Sequence, residues 1–334
     1  MKGAVTISIL LPTHNRAATT TIALQSLLGQ SFQDWEVLVV GDGCDDGTGE
    51  LVKAVAESDP RVRWFDLPKG ANFGYANRNI ALREARGELI GFLADDDLYF
   101  FSHVERLVAL MKDPAVQLGV SSALWVDTSG HMIPVVAPLH DAGYRARFLD
   151  GENRIAASSF VHRREVFDEV GYWREDLPKH GDLDLWHRII ARYGEDSVRT
   201  DPRHSLVHFR APWKRAGVDP DPHDFGTWQQ LIESQRLDAQ LKIATGENLL
   251  QERLWEFLIG GDGYAAGSQC LELAAARTLE SFAFASMDEV ARLSGEAGVP
   301  RENYEKQVAR AEKWKAKQRE ALARAERWKA RADG

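Results

Sequence analysis

The chemistry of this 334-residue chain is concentrated in four carboxylates. Asp95, Asp96 and Asp97 follow directly on the apolar run Leu89-Ile-Gly-Phe-Leu93. Adjacent carboxylates repel one another and raise each other's pKa, so such a triplet is favourable mainly where a cation or a network of donors shares the charge. A hard divalent cation, Mg2+ or Mn2+, is the natural answer. These ions are held by one or two carboxylates, with phosphate oxygens and water completing the shell, which suits a diphosphate-bearing substrate. The bland alternative is an acidic N-cap for a helix starting near Ser102. The fourth carboxylate, Asp182, stands in His180-Gly-Asp-Leu-Asp-Leu-Trp-His-Arg188 at a turn-to-helix junction, with Leu185, Trp186, Ile189 and Ile190 on the apolar face behind it. There it either caps the helix or projects toward a substrate hydroxyl as a general base.

Such groups need rigid elements to hold them. Residues 7–11, 35–40, 62–65 and 89–93 read as strands, with helices expected over 20–28, 49–57 and 76–85 between them. Strand, helix, strand in this rhythm implies right-handed crossovers and a mostly parallel sheet with helices on its faces. In such sheets ligands bind beyond the carboxyl ends of the strands. Three polar loops fall there: Pro12-Thr-His-Asn-Arg16, Gly41-Asp-Gly-Cys-Asp-Asp-Gly47 and Ala94-Asp-Asp-Asp97. Turns are polar in any protein, but three such loops at one edge of one sheet point to a site.

From about 118 to 210 the pattern is mixed, with strands expected over 119–125, 155–161 and 205–209 and helices over 164–170 and 183–193. Asp219-Pro-Asp-Pro breaks both helix and ladder and places a boundary near 215, beyond which residues 224–293 read as amphipathic helices. At the end, Arg310-Ala-Glu-Lys-Trp-Lys-Ala recurs as Arg324-Ala-Glu-Arg-Trp-Lys-Ala, two heptads on. This segment is locally basic and carries Val308, Ala311, Trp314, Gln318, Ala321, Leu322, Ala325 and Trp328 at helical spacing on one face. A self-associating coiled coil, a membrane-surface anchor and a solvated tail all fit it, with self-association slightly favoured.

The formal charge of −9 gives no general attraction for nucleic acid, and 44% hydrophobic residues suffice for a sizeable core in about two domains. Cys44 and Cys270 stand far apart with no CxxC or Cys/His cluster, so neither a zinc site nor a disulfide framework is indicated and a reducing cytoplasm fits. No stretch approaches the roughly 18 consecutive apolar residues of a membrane-spanning helix, so any membrane contact is expected to be peripheral, at the inner face of the cell membrane.

In order along the chain, Leu11-Pro-Thr-His-Asn-Arg16, the Asp42 loop, Gly74-Tyr-Ala-Asn-Arg-Asn79, Phe92-Leu-Ala-Asp-Asp-Asp97 and Gly181-Asp-Leu-Asp-Leu-Trp186 resemble the family 2 glycosyltransferases of GT-A fold, over roughly residues 5–212. The resemblance implies an α/β, Rossmann-like, mostly parallel central sheet flanked by helices. It divides the chain into a nucleotide-sugar-binding and catalytic domain over 1–215, a helical region over 216–300 and an amphipathic basic helix over 301–334. It implies that Pro12, Thr13 and Asn15 line the base and ribose, that Asp42 accepts from the base, and that Arg78 reaches the base or the phosphates. Asp95 to Asp97 match the family's D-x-D region, although Ala94 stands where the first acidic residue is usual. By that match Asp95 or Asp96 contacts the ribose, and Asp97 holds the metal with His208, for which His204 is the substitute. Asp182 matches the catalytic base. Gly181 stands where the family commonly has Glu, and Asp184 points elsewhere on the helix.

The implied reaction is an inverting transfer, dependent on Mn2+ or Mg2+, from a nucleoside-diphosphate sugar to a hydroxyl of a glycan or glycolipid acceptor in surface polysaccharide synthesis, with a UDP-sugar the favoured donor. Trp125, Trp173, Trp186 and Trp213 offer flat faces for sugar rings, though core packing explains most tryptophans. Two other readings compete. A sugar nucleotidyltransferase would show a Gly-rich basic phosphate loop near the first strand, which Leu11-Pro-Thr-His-Asn-Arg16 lacks. A non-catalytic assembly protein with a decayed transferase domain is disfavoured by the joint presence of Asp42, Asp97 and Asp182.

Overall fold

The structure is a computed structural model that describes residues 5–127, 129–209 and 238–297, with 284–297 as backbone only. The boundary expected near 215, Trp213 and the basic helix expected over 301–334 lie outside these residues.

Four strands, β1 (Val5–Thr13), β2 (Trp35–Asp42), β3 (Val62–Leu67) and β4 (Gly87–Phe92), pair in parallel in the order β3-β2-β1-β4. They are linked by α1 (Ala17–Leu28), α2 (Thr48–Ser58) and α3 (Tyr75–Arg83). Strand side chains alternate between faces, and the two cores follow that period. Ile7, Ile9, Leu11, Val37 and Val39 join Leu24 and Leu27 of α1 and Val52 of α2, whereas Leu10, Leu38 and Val40 join Ala81 and Leu82 of α3. Both faces are covered, which is why these strands read as nearly continuous apolar runs.

The sheet then becomes mixed. The remaining strands are β5 (Leu98–Tyr99), β6 (Leu118–Val126), β7 (Met132–Val135), β8 (Phe160–Arg163) and β9 (Val198–Phe209). β8 runs antiparallel to β4, β6 antiparallel to β8, β9 parallel to β6, and β5 antiparallel to β9, while β7 pairs with β6. Helices α4 (His103–Leu110), α5 (Ala142–Leu149), α6 (Val166–Val170) and α7 (Gly181–Tyr193) flank this half. The strand expected over 155–161 begins instead at Phe160, because Ala157–Ser159 form a 3-10 turn closed by the Ser159 amide on the Ala156 carbonyl at 2.9 Å.

Helices α8 (Leu250–Ile259) and α9 (Tyr264–Ala297) follow, and Leu254, Leu258, Leu271, Ala274 and Ala275 share a third core with Ile22, Leu98, Leu124 and Val207 of the sheet region. The Tyr264 hydroxyl donates to the Ser26 carbonyl at 3.1 Å, and Arg106 pairs with Glu272 at 2.5 Å. No helix among the described residues is long and apolar enough to cross a membrane.

Among the described residues three histidines are buried: His103, His162 and His204. Burial pushes their imidazoles down to about 3, about 4 and about 3 from an ordinary 6.5. Below pH 6.5 the unfolded chain therefore binds more protons than the fold. The stability these groups contribute is fully present above that pH and is lost as the pH falls toward the folded values. The limiting slope is about 1.4 kcal/mol per pH unit for each histidine. Urea midpoints at pH 7.5, 6.5 and 5.5 should fall steeply over the last step, and His162→Gln should make the fall shallower. Equal midpoints at all three pH values would contradict this account.

Candidate active site

The carboxyl ends of β1 to β4 lie at one edge of the sheet, and two successive antiparallel steps followed by a parallel one turn the end of β9 to the same edge. Thr13, Asp42, the acidic triplet and His208 are thereby gathered although they span most of the domain. Four non-glycine residues among those described have left-handed backbones: Asn15 (φ 52°), Asn72 (φ 50°), Phe73 (φ 58°) and His180 (φ 59°). All four lie on loops of this edge, after β1, before α3 and before α7. Backbone held in sparsely populated regions tends to collect at functional sites.

The first two aspartates of the triplet find their counter-charge in Arg16, at the end of β1. Its Nη1 lies 2.7 Å from Asp95 Oδ1 and 2.9 Å from Asp96 Oδ2. Burial, with the neighbouring Asp97 and Asp95 charges, pushes the Asp96 carboxyl up to about 6, against the pull of Arg16 and His208. Burial likewise raises Asp95, which Arg16 and a hydrogen bond from Thr13 oppose. Asp97 is 1% exposed. Its Oδ1 lies 2.8 Å from His208 Nδ1 and accepts from the Phe209 amide at 3.2 Å, and its Oδ2 accepts from Ser158 Oγ at 2.5 Å. Trp125 stands edge-on to the His208 ring at 4.8 Å. His204 is instead buried in the sheet beside Ser122. Trp173 and Trp186 are core residues, the latter stacked on Phe160 at 4.4 Å.

Two partners here escaped sequence reasoning. Arg16 belongs to a quoted motif but nothing local marks its target 79 positions away. Ser158 sits in the 157–159 turn, within the segment where the apolar pattern predicts a strand.

Asp42 is nearly buried and accepts from Lys69 Nζ at 2.5 Å, the Gly70 amide at 2.7 Å and Asn77 Nδ2 at 2.6 Å. Burial works to raise its carboxyl, but Lys69, Gly70 and Asn77 together hold it below the usual carboxylate range. The carboxylate therefore shapes the 68–77 loop as well as facing the edge. Gly74 (φ 69°) is required there, since a Cβ would fall 2.7 Å from the Asp42 carboxyl. Asn15 and Asp45 exchange two hydrogen bonds, at 2.6 and 2.8 Å, locking the β1 and β2 loops together. Thr13 meets Thr20 at 2.8 Å, and Pro12 is half-buried in register with Val40.

Arg78, on α3, joins these loops to the start of α7. Its guanidinium lies over the rings of Trp173 (4.9 Å) and Tyr75 (5.2 Å), and its Nε makes no hydrogen bond. Burial pulls its pKa down, while Tyr75, Asp182, Asp42 and Asp95 all act electrostatically to hold it up. Asp182 is the second residue of α7 and is only half-buried. Asp184, two residues on, is spent on Arg188 at 2.8 Å.

Residues 8–171 match the profile of glycosyl transferase family 2. That segment, just under half of the chain, belongs to this family. An uncharacterized glycosyltransferase of Rickettsia bellii is 30% identical over 187 residues, covering 56% of this chain and 26% of the relative. The Escherichia coli protein named UDP-Glc:alpha-D-GlcNAc-diphosphoundecaprenol beta-1,3-glucosyltransferase WfgD is 31% identical over 105 residues, 31% of this chain and 40% of its own. The chain therefore spans less than half the length of either relative. Its fold is shared with TarS of S. aureus, residues 1–349 with UDP-GlcNAc, at a TM-score of 0.50 and 18% identity over 83% of this chain and 72% of that one.

The donor chemistry around Asp97 bears on whether a cation fits. A carboxylate and an imidazole already meet there, and among the described residues no group of three or more His, Cys, Asp or Glu is gathered to hold a metal ion. A two-ligand protein contribution suits Mg2+ or Mn2+ whose shell is completed by phosphate oxygens and water, and does not suit an all-protein cage.

Proposed function

We propose that this transferase moves a sugar from a nucleoside-diphosphate sugar to an acceptor hydroxyl with inversion at the anomeric carbon. The observation that carries the reading is the gathering of Asp42, the Asp95–Asp97 triplet and His208 at one edge of the sheet, with the half-buried Asp182 at the start of α7, whose first amide is bound by Tyr75 of α3. Thr13, Asn15 and Pro12 border the donor's base and ribose, Asp42 and Arg78 orient them, and Asp95 or Asp96 meets the ribose. Asp182 takes the proton from the acceptor oxygen as that oxygen bonds to the anomeric carbon and the nucleoside diphosphate leaves from the opposite face. Asp97 and His208 are the residues that would hold Mn2+ or Mg2+, which when bound neutralises charge growing on the leaving diphosphate. The name of the Escherichia coli relative supports a UDP-sugar donor and a lipid-linked glycan acceptor. The basic segment 301–334 suits either self-association or contact with a membrane surface, and the latter would bring the enzyme to such an acceptor.

A thermal-shift panel of UDP, GDP, dTDP and CDP, each with and without Mn2+, tests the donor half. A ligand that binds the native state alone raises its stability, by about 2.7 kcal/mol at a hundred times its Kd. One base should give a clear upward shift that Mn2+ enlarges, and His208→Ala should lose the enlargement. Silence from all four nucleotides would refute the reading.

A further inference from the structure

Tyr75, the first residue of α3, is 4% exposed, and its hydroxyl oxygen accepts the Gly181 amide at 3.0 Å. That amide belongs to the first residue of α7, immediately before Asp182. The contact is shaped on both sides. A Cβ at position 181 would fall 2.7 Å from the Tyr75 ring, so only glycine allows the ring to lie against the helix start. His180, one residue earlier, holds the left-handed conformation (φ 59°) that turns the chain into the helix. On its other side the Tyr75 ring packs on Trp173 at 5.5 Å and under the Arg78 guanidinium at 5.2 Å. The N-cap residue His180 makes no side-chain capping hydrogen bond, so the Tyr75 phenol supplies the partner for the first amide of α7.

We infer that Tyr75 is the positioning residue for Asp182: its hydroxyl and ring fix the first turn of α7 relative to α3, so that the proton acceptor is held in register with the donor side marked by Arg78. This rests on the reading of Asp182 as the base. A group that must meet a hydroxyl within hydrogen-bond distance tolerates little displacement, and rigid second partners are what set such geometry. The pair also accounts for the glycine at position 181. The ring of Tyr75 occupies the space that any side chain there would need.

The test compares Tyr75→Phe, Gly181→Ala and Asp182→Asn with the parent enzyme. Turnover is read as nucleoside diphosphate released from UDP-glucose and GDP-mannose with water as acceptor. Tyr75→Phe keeps the ring and removes one hydrogen bond, and should lower kcat about five- to tenfold with the donor KM within about twofold of the parent. Gly181→Ala forces the same contact apart from the other side and should lower kcat in the same sense. Hydrogen exchange over 178–186 supplies a readout that does not need turnover, with protection of the Gly181 amide expected to drop in Tyr75→Phe. Unchanged kcat, unchanged protection, or a loss carried wholly by donor KM would each overturn the positioning role. Turnover that survives in Asp182→Asn would instead remove the base assignment itself, whatever Tyr75→Phe does.

Discussion

Replacing Asp182 by Asn should lower kcat by about 10²- to 10⁴-fold, the range that a positioned general base contributes, while leaving the nucleotide-induced rise in Tm intact. Asparagine matches aspartate in size, so the packing of Leu183, Leu185 and Trp186 behind it is untouched. Nearby Asp184 already carries an ion pair with Arg188, one turn on in the same helix. The substitution therefore removes proton affinity and little else. Arg78 keeps Asp42 and Asp95 within electrostatic reach, so donor binding should persist. In steady-state terms kcat and kcat/KM should fall together, the mark of an interaction made in the transition state. Loss of the nucleotide response as well would show that Asp182 serves to balance Arg78 rather than to accept a proton.

The largest expected stability change lies at the opposite end of β2. Glu36 is 1% exposed and accepts from Ser8 Oγ and the Arg86 amide, both at 2.7 Å, and it pairs with Arg63 (3.1 Å) and Arg86 (2.8 Å). Glu36→Ala removes the acceptor shared by the Arg86 guanidinium, the Arg86 amide and the Ser8 hydroxyl, while Arg63 keeps the Glu84 carbonyl at 2.7 Å. Breaking a fully buried pair typically costs 3–5 kcal/mol, but these arginine side chains are 24% and 28% exposed and water screens part of the loss, so we expect about 2–4 kcal/mol. That corresponds to roughly 5–15 °C in Tm for a domain of this size. Because Glu36 stands at the amino-terminal end of the strand, away from the site edge, turnover per folded molecule at low temperature should be preserved. Glu36→Gln, which keeps the volume and part of the hydrogen bonding, should fall between the parent and Glu36→Ala. A Tm for Glu36→Ala within about 2 °C of the parent would show that the two arginines find other partners at no cost.

The sequence by itself determined the alternation of strands and helices through β4, the polarity of the loops at their carboxyl ends and the family. Each of these depends on local information. A period of two or 3.6, a cluster of Gly and Asp after an apolar run, and five short motifs in order are legible without knowing what touches what. Tertiary structure alone decided the partners. Nothing near Arg16 in the chain says that its guanidinium will bridge Asp95 and Asp96, or that Asp97 will be met by Ser158, 61 positions away. Nor does local pattern reveal the two-residue β5, the turn at 157–159, or the docking of Tyr264 against α1. The physical reason is that hydrogen-bond and charge partners are chosen by strand order and register, which set distances between remote segments. Local periodicity reports only which face of an element is buried.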